Sequence, residues 1–219
     1  MFFNCHSHSV SSKFMTIVNE SDDNRGVGTY FFSYGIHPWQ ASLREENFLT
    51  FEEKITNKKC LAIGEIGLDK LKGPDLSIQL AIFSKQIEIS ERLQLPVIIH
   101  CVRAWNELFT FYKQRKPQQV WVFHGFTKVG ILDEVLKTNM MISIGASVLT
   151  NVRLQESIKK IPNHKLLLET DEAQIDILTI YQKVSEIKKI SLLQLEKIIE
   201  QNFKRTFKKW QSGLSEQNY

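Results

Sequence analysis

The sequence predicts an α/β chain whose parallel strands close into a TIM-type (β/α)8 barrel. Three observations lead there. Eight short apolar runs alternate with longer amphipathic segments along the 219 residues, the pattern of β-α units around a parallel sheet. That length suits one sizeable core and is short for two, so residues 1–219 read as a single domain. No Gly-x-Gly-x-x-Gly follows the first strand, which argues against a dinucleotide fold on the alternative, an open doubly wound sheet.

The elements follow in order. Phe2–His8 is the first strand and Phe14–Val18 a short second one. Ser21–Gly26 is a polar turn, and Thr29–Ile36 the third strand, ending in Gly35-Ile36-His37-Pro38-Trp39. Glu45–Thr56 is helical, and Cys60–Glu65 is a strand running into Gly64-Glu65-Ile66-Gly67-Leu68-Asp69. Asp75–Arg92 is a long helix, with Ile78, Ile82, Ile89 and Leu93 near helical spacing. Strand Pro96–His100, helix Trp105–Gln114 and strand Gln119–His124 come next, then a helix over Gly130–Thr138. Strand Met141–Ile144, helix Asn151–Lys160 and strand Lys165–Asp171 lead to two closing helices, Asp176–Lys188 and Leu192–Trp210.

The first outer helices are expected to be missing. Five residues separate His8 from Phe14, and Asn19–Gly28 is polar and contains glycine. A helical crossover needs about ten or more. Aromatic and aliphatic residues of strands two and three would then face outward as an apolar patch. The expectation is that helix Leu192–Trp210 folds back over it or that a homodimer buries it through Phe14–Val18 and Thr29–Tyr34.

Composition narrows the class. Hydrophobic content of 42% and charged content of 24% fit a globular protein. No apolar run approaches the ~18 residues that span a bilayer, so no membrane partner is expected. The N-terminus lacks a basic segment followed by an apolar one and does not read as a secretory signal. Cys5, Cys60 and Cys101 form no Cys-x-x-Cys and suggest reduced, buried thiols in a cytoplasmic protein. The net charge of +4 permits an anionic substrate without demanding one.

The chemistry gathers at strand ends. His6 and His8 are two apart and share a face of the first strand. Glu65, His100, His124 and Asp171 end strands four, five, six and eight. In a parallel barrel these ends lie on the face where active sites are built. Any one of them is readily a structural histidine or an ion-pair partner; six on one face are not. Four imidazoles and two carboxylates suffice for two divalent ions, which together activate water and clamp an anion. This N/O set suits zinc or manganese, and magnesium less naturally.

At this point the sequence resembles the TatD family of metal-dependent hydrolases. The matching stretches are Asn4-Cys5-His6-Ser7-His8, Gly35-Ile36-His37-Pro38, Gly64-Glu65-Ile66-Gly67-Leu68-Asp69, Leu95-Pro96-Val97-Ile98-Ile99-His100, His124-Gly125-Phe126 and Leu168-Glu169-Thr170-Asp171. They occur in the family's order and cover most of the chain. The resemblance implies a TIM barrel, two divalent metal ions and deoxyribonuclease activity, for several members as a 3′ exonuclease. It implies that His6, His8 and Asp171 hold one metal, that His100 and His124 hold the other, and that Glu65 bridges them. Asp171 would also orient or deprotonate the attacking water. Arg103 and His37 match positions expected near the substrate phosphate and the site mouth. The family motif begins with Asp where this chain has Asn4, which the resemblance places behind the ligands, orienting a histidine without supplying charge. After Asp171 the chain lacks the family's Pro and its later Arg- and Asn-containing loop.

DNA or another phosphoester is therefore the expected substrate. The alternative is an amidohydrolase-like enzyme acting on a small ester, amide or phosphoester. Many dinuclear amidohydrolases bridge their metals with a carboxylated lysine on strand four, where this chain has Glu65. The His-x-Glu and Pro-Cys-x-x-Cys signature of zinc deaminases is absent. The Lys-rich C-terminal segment is interleaved with Glu186, Glu196 and Glu200 and reads as a solvated helix face. No platform of aromatic and basic residues is evident beside the motifs, so the strand type is not readable.

Overall fold

The computed structural model describes residues 1–20, 30–42 and 45–210, apart from the side chains of residues 45–47. Its strands are β1 (Phe3–Ser7), β2 (Met15–Glu20), β3 (Phe31–Tyr34), β4 (Cys60–Asp69), β5 (Val97–Val102), β6 (Trp121–Phe123), β7 (Met141–Ile144) and β8 (Leu166–Leu168). They lie in one sheet in chain order, β1 through β8. The helices are α1 (Glu45–Thr56), α2 (Leu76–Leu93), α3 (Trp105–Arg115), α4 (Leu132–Leu136), α5 (Val152–Ile158), α6 (Ile177–Lys188) and α7 (Leu192–Thr206). Parallel strands in sequence order with helices between them are the TIM-type (β/α)8 fold. No helix joins β1 to β2, as the five-residue spacing requires. The expected turn Ser21–Gly26 and the rest of the β2–β3 connection lie outside the described residues.

The chain divides into two compact units, residues 1–18 with 122–208, and residues 19–121 with 209–219. In the first unit β1 pairs with β2, and β6, β7 and β8 pair in turn, all parallel. A single bridge joins Ser7 to Asp171 beyond β8. Helix α7 begins in a capping box, with the Ser191 side chain accepting from Gln194 N–H and the Gln194 side chain accepting from Ser191 N–H. Its buried face places Phe203 4.7 Å from the Phe3 ring. Asn202 donates to the carbonyls of Asn163 and Leu166 at the start of β8. On α6, the buried Tyr181 hydroxyl accepts from Phe3 N–H and donates to Phe3 C=O, both at 3.0 Å. Lys183 of α6 and Lys204 of α7 form local pairs with Glu186 and Glu200, in keeping with a solvated face, while Lys188 turns to the Ile161 carbonyl.

In the second unit β4 pairs with β3 and β5, and all ten of its residues are buried. β4 runs four residues beyond the expected end at Glu65. The glycines there read locally as a turn, but Ile66, Gly67, Leu68 and Asp69 pair with Ile99 to Val102 of β5, and this pairing overrides local preference. Gly67 has φ 148° and its missing Cβ would lie 1.9 Å from the His100 carbonyl oxygen, so only glycine fits opposite that histidine.

Two expectations need correction. The apolar residues of β2 and β3 form no exposed patch: Ile17, Phe32 and Tyr34 are buried in this single chain. Phe51 of α1 meets the Tyr34 ring, and Lys54 reaches both that ring and Glu20. The reason for expecting a homodimer through these segments therefore falls away. Of the helically spaced Ile78, Ile82, Ile89 and Leu93, only Ile82 lies in the buried stripe of α2. That stripe is Gln79, Ile82, Phe83, Gln86, Ile87 and Ser90, because two glutamines serve the backbone of neighbouring segments.

Tyr181→Phe should remove both of these hydrogen bonds to the buried Phe3 backbone and cost about 1–3 kcal/mol. Urea unfolding should show a lower midpoint with an unchanged slope.

Candidate metal centre

Each unit carries its own cluster of donors. In the first, β1 delivers His6 and His8, the segment after β6 delivers His124, and the turn after β8 delivers Asp171. β8 is shorter than expected because Asp171 sits at φ 54°, a left-handed conformation that aspartate tolerates better than most residues. Two backbone hydrogen bonds fix it there: Asp171 N–H donates to the His6 carbonyl and His8 N–H to the Asp171 carbonyl, each at 3.1 Å.

Asp171 Oδ1 consequently lies 3.4 Å from His6 Nε2 and 3.5 Å from His8 Nε2. Two donors bound at about 2.1 Å to one tetrahedral ion lie ~3.4 Å apart, so these spacings fit a shared cation. His124 belongs to the same group, its ring 4.5 Å from that of His6, with donor atoms of His6, His124 and Asp171 all within 4.8 Å of one another. Burial works to raise the Asp171 carboxyl. Hydrogen bonds from His6 and His8, then the charges of His6 and His124, outweigh it and hold the group well below the usual carboxylate range.

Behind these donors stands a buried polar layer. Glu169 Oε1 accepts from Gly125 N–H at 2.6 Å and lies 3.5 Å from His124 Nδ1. Asn4 donates to the Thr170 hydroxyl at 2.8 Å and accepts from Thr170 N–H at 3.1 Å. The Thr170 hydroxyl in turn donates to Ser7 Oγ. The expectation that Asn4 orients a histidine is thus corrected: its amide holds the backbone beside Asp171. Cys5 is buried against Ser143 and Glu169, and burial first, then the Glu169 charge, raises its thiol. Burial lifts Cys60 and Cys101 to about 12, so all three are packing thiols, not nucleophiles.

The second unit gathers His37, Glu65 and His100. Glu65 Oε1 lies 2.6 Å from His100 Nδ1 and 3.5 Å from His37 Nε2. The other imidazole nitrogen of His100 faces Asp69 Oδ2 at 3.2 Å. A carboxylate on each side fixes the plane of this ring, as partners of metal-bound histidines do. Burial raises Asp69, but Trp39 Nε1–H, Leu71 N–H and His100 outweigh it and leave its carboxyl lowered. Arg103 follows β5 in a left-handed conformation, exposed and in no ion pair among the described residues, which removes the bland reading of it as half of a surface pair.

Two residues of α2 hold this cluster from behind. Gln79 accepts from Asp69 N–H and donates to the carbonyls of Asp69, Lys72 and Pro74. Gln86 accepts from Ile36 N–H and donates to Ile36 C=O, setting the approach to His37. Sequence reasoning gave neither a role. Their signal is positional: 79, 82, 83 and 86 form a helix stripe in which two expected apolar places hold amides. Asp69 was legible too, since it shares the β4 face of Glu65 by alternation. One further reading is overturned. Trp39 and Lys72 do form an aromatic-basic pair beside the cluster, with Lys72 Nζ 4.0 Å over the indole. Thirty-two residues separate them, so only the turn after β4 brings them together.

The comparisons with known proteins agree with this arrangement. A family model described as "TatD related DNase" matches residues 5–208. This chain belongs to the TatD family. It is 30% identical over 205 residues to an uncharacterized metal-dependent hydrolase, YabD of Bacillus subtilis, spanning 83% of this chain and 80% of that protein. It is 32% identical over 155 residues to "Deoxyribonuclease Tat-D" of Schizosaccharomyces pombe, spanning 63% of this chain and 49% of that protein. The crystal structure of the TatD homologue YJJV of Escherichia coli K12 has the same fold, with a TM-score of 0.79 at 20% identity over 94% of this chain and 98% of that one. The chain is thus a member of a metal-dependent hydrolase family, and its donor clusters fit divalent cations.

Asp69→Asn should weaken divalent-cation binding ~10–100-fold, because the His100 ring loses a charged partner. Competition against a chromogenic chelator measures this directly.

Proposed function

We propose that this TatD-family chain is a two-metal phosphodiesterase that acts on DNA ends as a 3′ exonuclease, with residues 1–219 working as one domain. The observation that supports this most is the spacing of His6 and His8 about Asp171 Oδ1, 3.4 and 3.5 Å, which is that of donors sharing an ion. The "Deoxyribonuclease Tat-D" name of the Schizosaccharomyces pombe relative supports the substrate class.

In this reading His6, His8 and Asp171 would hold one ion, His100 and His124 would hold the second, and Glu65 would serve both. The N/O donors favour zinc or manganese, and magnesium less so. When bound, such ions polarise a phosphoryl oxygen and make hydroxide available near neutral pH. The remaining work falls to the chain. Asp171, held ionised by His6, His8 and His124, would orient the attacking water, and its lowered carboxyl suits that role better than taking the proton. Glu169 and Asp69 keep the His124 and His100 rings oriented. The exposed Arg103 guanidinium takes a substrate phosphate, to which it can present two parallel N–H donors. His37, held beside Glu65, lines the approach. No helix among the described residues is long and apolar enough to cross a membrane. Three buried free cysteines support a reducing, cytoplasmic compartment.

Cleavage of end-labelled oligonucleotides should stop with chelator and return with manganese or zinc. Glu65→Gln should lose roughly 100-fold or more, since even the outer partners of ligands are worth 10–100-fold. Arg103→Ala should raise KM and flatten its dependence on log salt by up to about 1. Salt-insensitive turnover of a small neutral ester, with DNA left intact, would transfer the assignment to the amidohydrolase-like alternative.

A further inference from the structure

Trp39 is 45% exposed although it lies inside the second donor cluster. Its ring centroid is 4.7 Å from that of His37 and 5.9 Å from that of His100, near-perpendicular to both. The indole is held rigidly. Its backbone lies in the short turn Pro38–Gln40, where Trp39 N–H donates to His37 Nδ1 and Gln40 N–H to the His37 carbonyl. Its Nε1–H donates to Asp69 Oδ2 at 2.6 Å, the same oxygen that faces His100.

That last bond does little for the core. A half-exposed indole N–H can bond to water, whereas Asp69 is buried and already accepts from Leu71 and Lys72 N–H. Its effect is to register an open aromatic face against the His100 ring.

The charges around this face are complementary to a polyanion. Lys72 is exposed, lies 4.0 Å over the ring and has no carboxylate partner among the described residues. Arg103, three residues past His100, is likewise exposed and in no ion pair among the described residues. The acids of the cluster, Glu65 and Asp69, are buried. An ammonium over an exposed ring is weakly held and exchangeable. An incoming base can take the ring face while the lysine moves to the phosphate beside it.

We infer that Trp39 is a stacking platform for one unpaired base at the end of a single-stranded nucleic acid, with Lys72 pairing to the adjoining phosphate. This rests on the phosphodiesterase reading and adds to it the residues of this chain that would hold the terminal base and its phosphate. Base–aromatic stacking tolerates any base, so the platform selects for an unpaired end and not for a sequence.

The test is an abasic walk on the metal-loaded enzyme. Single-stranded oligonucleotides carry one abasic site at the first, second or third position from the end that is cleaved, and KM is measured for each. One position should raise KM roughly 5- to 150-fold over the intact strand, the range of one stacked base. Trp39→Ala should lose that base-versus-abasic ratio, and Trp39→Phe should restore part of it. A merely structural role for Trp39 would shift both substrates together and leave the ratio unchanged. A wild-type enzyme that cleaves DNA but ignores abasic sites would overturn the platform and leave the nuclease reading standing. So would a Trp39→Ala variant that keeps the wild-type ratio. Failure to cleave any oligonucleotide would overturn the nuclease reading, and the platform with it.

Discussion

The first donor cluster depends on one backbone lock. Asp171 leaves β8 in a left-handed conformation and exchanges two hydrogen bonds with His6 and His8. Backbone amides exchanged in this way fix both strand ends to within a fraction of an ångström. The His6 and His8 nitrogens and Asp171 Oδ1 then meet as a consequence of main-chain geometry. Side-chain rotamers need only complete it. Tyr181 and Asn202 hold β1 and β8 by their own backbone groups, so the lock is continuous with the packing of α6 and α7.

The second cluster is organised differently. Its constraint is a single carboxylate, Asp69, which faces His100, accepts from Trp39, and caps the turn through Leu71 and Lys72 N–H. The His100 imidazole and a solvent-facing aromatic therefore share one support, and change at that support is transmitted to both. Gly67 completes the arrangement, because the β4 backbone passes so close to the His100 carbonyl that no side chain can lie between them.

Much of this was legible in the sequence, and the reason is periodicity. Alternation of two along a strand anticipated that His6 and His8 share a face, whereas Glu65 and His100, expected at strand ends, lie inside β4 and β5, which run on to Asp69 and Val102. The eight-strand order and the helix-free β1–β2 connection followed from run lengths. What failed was anything decided by partners distant in sequence. The β4 extension depends on pairing with β5, and the buried stripe of α2 on which backbone groups lie opposite it. The cover over Tyr34 comes from Phe51 of α1, which a count of missing crossover helices could not supply. Trp39 and Lys72 meet across a turn whose shape is set by Asp69 and Gln79, neither of which announces that role locally.

The buried polar residues divide by chemistry, and the division explains the departure at position 4. Backbone segments are held by amides: Asn4 on Thr170, Gln79 on Asp69, Gln86 on Ile36, Asn202 on Leu166. Imidazoles face carboxylates: Glu65 and Asp69 at His100, Glu169 at His124, Asp171 at His6 and His8. An amide offers a donor and an acceptor with no charge to desolvate, which is what an N–H beside a C=O or hydroxyl requires. A carboxylate only accepts, and it raises the basicity of the ring it faces. At position 4 a carboxylate would demand the Thr170 proton that now goes to Ser7, opening the chain of bonds from Asn4 through Thr170 to Ser7 at the strand end where the lock forms. Asn4 therefore belongs to the backbone-holding group, and an amide at this position leaves the carboxylates that face His6, His8, His100 and His124 in place.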